Sequence, residues 1–285
     1  MLQPWLTRRS CRLPGLFSAA GLDWLLDSDP TLRWQVLRDL TDAPLQTVSA
    51  ERARVATEGW AARLLALRGE DGQWAGGTCF PADFRGDFSK GQPWTATLPS
   101  LTLLRDFGID PEAEPVREVV ALVGATCRWE HAGQRFFDGE VEPCINGRTV
   151  AVGAYFGVDV DSIVVRLLGE QLADGGWNCE AENGSVRASF ATTICVLEGL
   201  LEHERATGGS VRAVAARRRG EQYLLDRSLF RRQSTRASAL VELPEPSWGT
   251  SHVGPGRHEF TCRFRPAEQD PPIPVYDPFA ELADA

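Results

Sequence analysis

Three Asp-Gly corners constrain this chain more than any other feature: Asp71-Gly72-Gln73-Trp74, Asp138-Gly139-Glu140-Val141 and Asp174-Gly175-Gly176-Trp177. Each stands between stretches of helical period, and the helix-ending glycines Gly108, Gly157 and Gly208 follow one another 49 and 51 residues apart. The repeating unit is therefore a pair of helices, about 50 residues long. Such a hairpin cannot bury its apolar faces alone, so neighbours must stack on it. Asp-Gly supplies a tight reversal, and the indole adds a large flat surface with an N–H donor. Trp74 and Trp177 accordingly read as packing residues that seal one unit against the next.

The apolar spacing predicts an all-α chain. Leu32, Val36 and Leu40 fall at four-residue steps after a break at Asp29-Pro30. Ser49 is the expected cap of a helix carrying Trp60, Leu64 and Leu67 and ending at Gly69. Pro93 marks the next helix start, with Leu98, Leu101 and Leu104 on one face. Val116, Val119, Val120, Val123 and Cys127 mark another, and a further helix runs from near Cys144 to Phe156. In the third unit Phe190, Ile194, Leu197 and Leu201 form the expected buried face. A last helix spans about Val211 to Phe230. Residues 1–20 read as an irregular lead-in, 21–235 as the repeat domain, and 236–285, with eight prolines and no helical period, as an irregular tail. The change near Thr235 is abrupt enough to suggest a lost reading frame or a truncated gene.

Composition narrows the functional classes. With 43% hydrophobic and 24% charged residues the chain has the make-up of a soluble globular protein. A net charge of -9 argues against nucleic acid and anionic membranes as partners. The basic run Arg217, Arg218 and Arg219 reads as a solvated helix face. Seven cysteines without a CxxC pair indicate neither a zinc ribbon nor a disulfide framework, and are read as reduced thiols of a cytoplasmic protein. No window approaches the roughly 18 apolar residues of a membrane span.

The run Gln171-Leu172-Ala173-Asp174-Gly175-Gly176-Trp177 resembles the QW repeat of the squalene cyclase and terpene cyclase superfamily, which includes the prenyltransferases. Asp71-Gly72-Gln73-Trp74 is a partial second match, and Gln134 to Asp138-Gly139 a degenerate third. The resemblance covers about Leu22 to Phe230 and implies an α/α toroid, here degenerate or truncated. In that architecture inner helices line a central cavity and outer helices surround them. It further implies an apolar cavity for an isoprenoid-type ligand, and dimerisation if the ring stays open.

The resemblance is weaker in site residues. Asp159-Val160-Asp161-Ser162 lacks the last Asp of the DxDD acid motif of class II cyclases, and no DDxxD cluster is present. Glu142-Pro143-Cys144 resembles half of the zinc site of protein prenyltransferase β-subunits. The matching helix start, Ser189 to Thr193, has no histidine, so no metal and no cofactor are expected. Asp161 or Ser162 is also a candidate helix cap.

Two readings follow. In the first the chain is a terpenoid cyclase-like or prenyltransferase-like enzyme, with Glu142 or Asp161 as acid and Arg148 steering an anionic head group. Trp94, Cys144, Tyr155, Phe156 and Phe190 complete its substrate-binding set, the aromatic rings being suited to stabilise cations. In the second the chain is a non-catalytic toroid that binds an apolar ligand or a protein.

Overall fold

The computed structural model describes residues 19–86, 94–229 and 231. Among these the chain is all-α: ten helices, two single 3-10 turns and no strand. The helices are α1 (Ala19–Leu26), α2 (Pro30–Leu40), α3 (Leu45–Arg54), α4 (Gly59–Ala66), α5 (Thr97–Asp106), α6 (Glu114–Thr126), α7 (Pro143–Tyr155), α8 (Asp161–Gly169), α9 (Phe190–Thr207) and α10 (Val211–Leu225). The predicted lead-in up to residue 18, Pro93 and the whole tail lie outside the described residues.

The three corners occur where the sequence places them, and their glycines Gly72, Gly139 and Gly175 all have φ between 81° and 97°. That region is closed to most side chains, which is why a glycine follows the Asp each time. Two corners share one set of hydrogen bonds. Trp74 Nε1 donates to the Leu64 carbonyl and Trp177 Nε1 to the Leu167 carbonyl, both at 2.7 Å and both ten residues back in the preceding helix. The amide of Trp74 donates to Thr97 Oγ1 and that of Trp177 to Thr193 Oγ1, so the helix after each corner grips it with a buried threonine. At the middle corner Asn146 does this work from both sides: its Oδ1 accepts from the Glu140 amide and its Nδ2 donates to the Glu140 carbonyl, each at 2.7 Å. No tryptophan stands at that corner. Trp129 fills the space instead, stacked on Phe136 at 5.1 Å and donating to the Phe136 carbonyl.

Every corner is also tied to the helix that comes after the hairpin. Thr126 at the end of α6 donates to the Asp71 carbonyl, Arg166 of α8 to the carbonyls of Glu140 and Val141, and Gln171 donates to the Ala216 carbonyl of α10. Sequential hairpins are thereby laced at their turns.

The core runs along the helices that follow the corners. α7 is buried on nearly every side and packs against both α5 and α9. Its contact with α9 is backbone on backbone. A Cβ on Gly147 would lie 2.5 Å from the Cys195 carbonyl oxygen, and one on Gly199 2.2 Å from that of Gly147.

Several local expectations shift. Ser49 does not cap a helix: it lies inside α3, and the stretch from 45 to 66 is two helices separated at Val55 to Glu58. In α2 the predicted Leu32 and Leu40 are partly exposed, while Trp34 is the buried anchor, donating from Nε1 to the Phe107 carbonyl at 2.8 Å. α9 buries Thr193, Val196, Leu197, Leu200 and His203 and leaves Ile194 58% exposed. The close approach to α7 through Gly199 sets that rotation, overriding the larger apolar residues. Nor is the Arg217 to Arg219 run a free basic face. Arg217 pairs with Glu204 at 2.8 Å and with Glu221, and Arg219 reaches Gln171.

Candidate functional site

The starts of α5, α7 and α9 are joined by side-chain contacts. Trp94, three residues before α5, lies under the Arg148 guanidinium of α7, whose carbon is 5.6 Å from the ring centroid. Cys144, the second residue of α7, meets Cys179 in the turn before α9 at 3.1 Å between sulfurs. Cys179 in turn meets Thr192 Oγ1 at 3.4 Å, in the first turn of α9. One end of the helical layer thus collects aromatic, cationic, thiol and carboxyl groups, with the helix N-termini adding positive potential.

Four of the predicted site residues come together there: Trp94, Glu142, Cys144 and Arg148. Glu142 Oε2 accepts from Cys144 Sγ at 3.4 Å. Arg148 makes no ion pair among the described residues, and Trp94 is 42% exposed beside it. The Arg148 guanidinium is partly buried, stacks on the indole and also hydrogen-bonds the Cys195 sulfur, with no carboxylate paired to it among the described residues.

The other predicted residues lie elsewhere. Tyr155 and Phe156 sit at the far end of α7, roughly 18 Å from its start by the rise of a helix. Tyr155 donates to the Ile109 carbonyl at 2.7 Å and accepts from Arg52, and burial pushes its hydroxyl up to about 12. Phe190 packs on Tyr223 of α10 at 5.6 Å between centroids. Asp161 begins α8 without capping it and is exposed, with one oxygen 2.7 Å from His203 Nε2. It shares no contact with the group around Arg148.

Glu140, next to Glu142, is a carboxyl that its environment perturbs. It is 6% exposed, and burial pushes its carboxyl above the usual range, opposed by the Glu142 amide that donates to Oε2 at 2.7 Å. A carboxyl raised by desolvation is the kind of group that enzymes use as a general acid.

Thiols were the features least visible in the sequence. Cys79, Cys144, Cys179 and Cys195 are free thiols and all adjoin this end. Burial pushes Cys79 up to about 12, with Glu130, Glu142 and Glu140 adding to the rise. Cys144 is raised by its contact with Cys179 and by burial. At Cys195 burial raises the thiol more than the nearby Arg148 charge lowers it. Cys79, Cys144 and Cys195 are thus shifted away from the thiolate form, the opposite of an activated nucleophile. Sequence spacing gives no hint of the cluster, because its members come from different hairpins; the only local signal is Cys179, two residues past Trp177.

Glu142, Cys144 and Cys179 are also the one group among the described residues whose donor atoms converge as metal ligands do, all within 4.8 Å of one another.

In comparisons with known proteins the chain matches no family model, no curated protein and no solved structure. No helix among the described residues is long and apolar enough to cross a membrane.

Proposed function

We propose that the chain is an α/α-toroid-like protein, akin to terpenoid cyclases and prenyltransferases in its hairpin plan, that binds an isoprenoid-type ligand by an anionic head group at the starts of α5, α7 and α9. α5, α7 and α9 act as inner helices, and α4, α6, α8 and α10 as outer ones. The carrying observation is the Arg148 guanidinium over Trp94, a cation without an ion pair among the described residues, bridging two hairpins. The recurrent Trp-to-carbonyl bond supports the toroid plan, since it fixes each corner alike. The exposed apolar groups Ile194 and Trp94 on or beside inner helices suit a hydrocarbon chain.

Titration with farnesyl diphosphate, farnesol and inorganic diphosphate, followed by calorimetry and Trp fluorescence, tests this. The diphosphate ester binds most tightly, and R148M weakens it at least tenfold while leaving farnesol unchanged. Equal binding by wild type and R148M, or none by either, overturns the reading.

Catalysis is the second reading, favoured by the desolvated carboxyl of Glu140 close to Glu142. Asp161 is a poor acid for it, being exposed and paired with His203. Product analysis after incubation with squalene and prenyl diphosphates, repeated with E140Q and E142Q, separates the readings: turnover lost in either variant supports an enzyme, and none in wild type supports a binding protein.

A further inference from the structure

We propose that Glu142, Cys144 and Cys179 bind a soft divalent cation of the zinc class, in a site that leaves one coordination position for water or a ligand. The inference stands apart from the binding of an isoprenoid and does not need it.

Geometry carries it. Cys144 Sγ lies 3.1 Å from Cys179 Sγ and 3.4 Å from Glu142 Oε2, and all three donors fall within 4.8 Å of one another. Thiolates on a tetrahedral zinc sit about 2.3 Å from the metal and so about 3.8 Å from each other. The sulfurs therefore need to part by roughly 0.7 Å, within the reach of a χ1 adjustment. The supporting backbone is braced on both sides. Asn146 clamps the corner before α7 through both its amide atoms, and Asn178 caps the turn of Cys179 by accepting from the Glu180 amide. Rigid supports of this kind are what a metal site requires.

The partners of these thiols differ from those of an ordinary buried cysteine. Cys127, another buried thiol, is satisfied by neutral groups, the Thr78 hydroxyl and the Gln73 side-chain oxygen. Cys144 and Cys179 instead form a relay that ends on a carboxylate, Cys179 Sγ donating to Cys144 Sγ and Cys144 Sγ to Glu142 Oε2, so that exchange of the two thiol protons for one divalent cation leaves three anionic donors around it. On binding, each thiol gives its proton to solvent, and the two thiolates with Glu142 carry the negative charge that holds the metal. Thr192 Oγ1, 3.4 Å from Cys179 Sγ, is placed to orient that sulfur.

The test uses the full chain with Cys11 and Cys262, which lie outside the described residues, replaced by Ser. Reduced, chelator-treated protein is titrated with Zn²⁺ against a chromophoric competitor, and with Co²⁺ read by visible and near-ultraviolet absorption. One equivalent binds, and the cobalt form shows a tetrahedral spectrum with a thiolate charge-transfer band. C144S, C179S and E142Q each weaken binding at least tenfold, while C127S leaves it unchanged. Circular dichroism checks folding, and because Cys179 and Glu142 are only half-buried, their variants decide the matter if C144S fails to fold. A folded wild-type chain that binds no stoichiometric metal overturns the proposal. So does an octahedral cobalt spectrum without the thiolate band, or undiminished affinity in C179S and E142Q.

Discussion

Arg105 and Glu198, 93 residues apart in the sequence, form a 2.5 Å ion pair that joins α5 to α9. Both helices flank α7, so the pair closes a bracket around the most buried helix of the structure. Its two ends differ: the Arg105 side chain is 9% exposed and that of Glu198 49%.

That asymmetry sets the cost of each substitution. E198A removes a half-exposed charge and lowers stability by less than about 1 kcal/mol. R105A also strips a buried stem and loses the neighbouring Asp106 contact, costing roughly 1–2 kcal/mol. A double-mutant cycle by urea denaturation yields a coupling below about 1 kcal/mol, reduced further at high salt.

The two corner tryptophans answer alike to substitution. W74F and W177F each keep most of the buried volume but delete the bond to a helix carbonyl, and each costs about 1–3 kcal/mol. W177A costs more, about 3–5 kcal/mol, since the indole is fully buried. Denaturant midpoints measure both, and similar losses at the two sites indicate that the corners are equivalent parts.

Helix contact at Gly147 tolerates no added carbon. G147A places a methyl against the Cys195 carbonyl and the Val196 backbone, forcing α7 and α9 apart at a cost of about 1–3 kcal/mol or more. Alanine at Gly157, whose Cβ direction is open, meets no neighbour, and its penalty is the positive φ alone, roughly 1 kcal/mol. Thermal unfolding of both variants gives the comparison.

Glu140 ties stability to pH. Its carboxyl is raised in the folded chain by burial, so folding favours the protonated form. The resulting stabilisation is complete below the unfolded carboxylate value and is lost as pH rises through the raised folded value. E140Q removes that dependence. Wild type therefore loses stability relative to E140Q as pH rises upward from the ordinary carboxylate range, then holds a constant difference. A parallel pH profile for the two proteins would show that Glu140 ionises normally.

Much of the helical plan is legible in the sequence because corners and periodicity are local signals. The Asp-Gly glycines adopt the left-handed φ that their position demands, and Leu98, Leu101, Leu104 and the Val116 to Cys127 face are buried as spaced. Side-chain rotation about α9 was not legible, since Gly199 against Gly147 decides it and no moment calculated on apolar residues weighs a glycine. The capped helix expected at Ser49 fails for a related reason. Asp29, 31 residues before Trp60, supplies the acceptor for the Trp60 amide at the start of α4 while capping α2 through Thr31. Trp94, Glu142, Cys144 and Arg148, named from the sequence as separate candidates, lie near the starts of α5 and α7. Cys179 was not singled out as a site residue, because contact across hairpins defines its place and does not appear in spacing.

The lacing of each corner to the helix beyond it gives the molecule a direction. Loss of α10 would remove the Ala216 acceptor of Gln171 and leave the Thr126 and Arg166 links intact, whereas the first corner is held from downstream by Cys127 and Thr97 as well as by Thr126. The terminal hairpin is thus fastened by fewer neighbours than the hairpins before it, so fraying that starts at α10 leaves the earlier turns hooked to their own next helices.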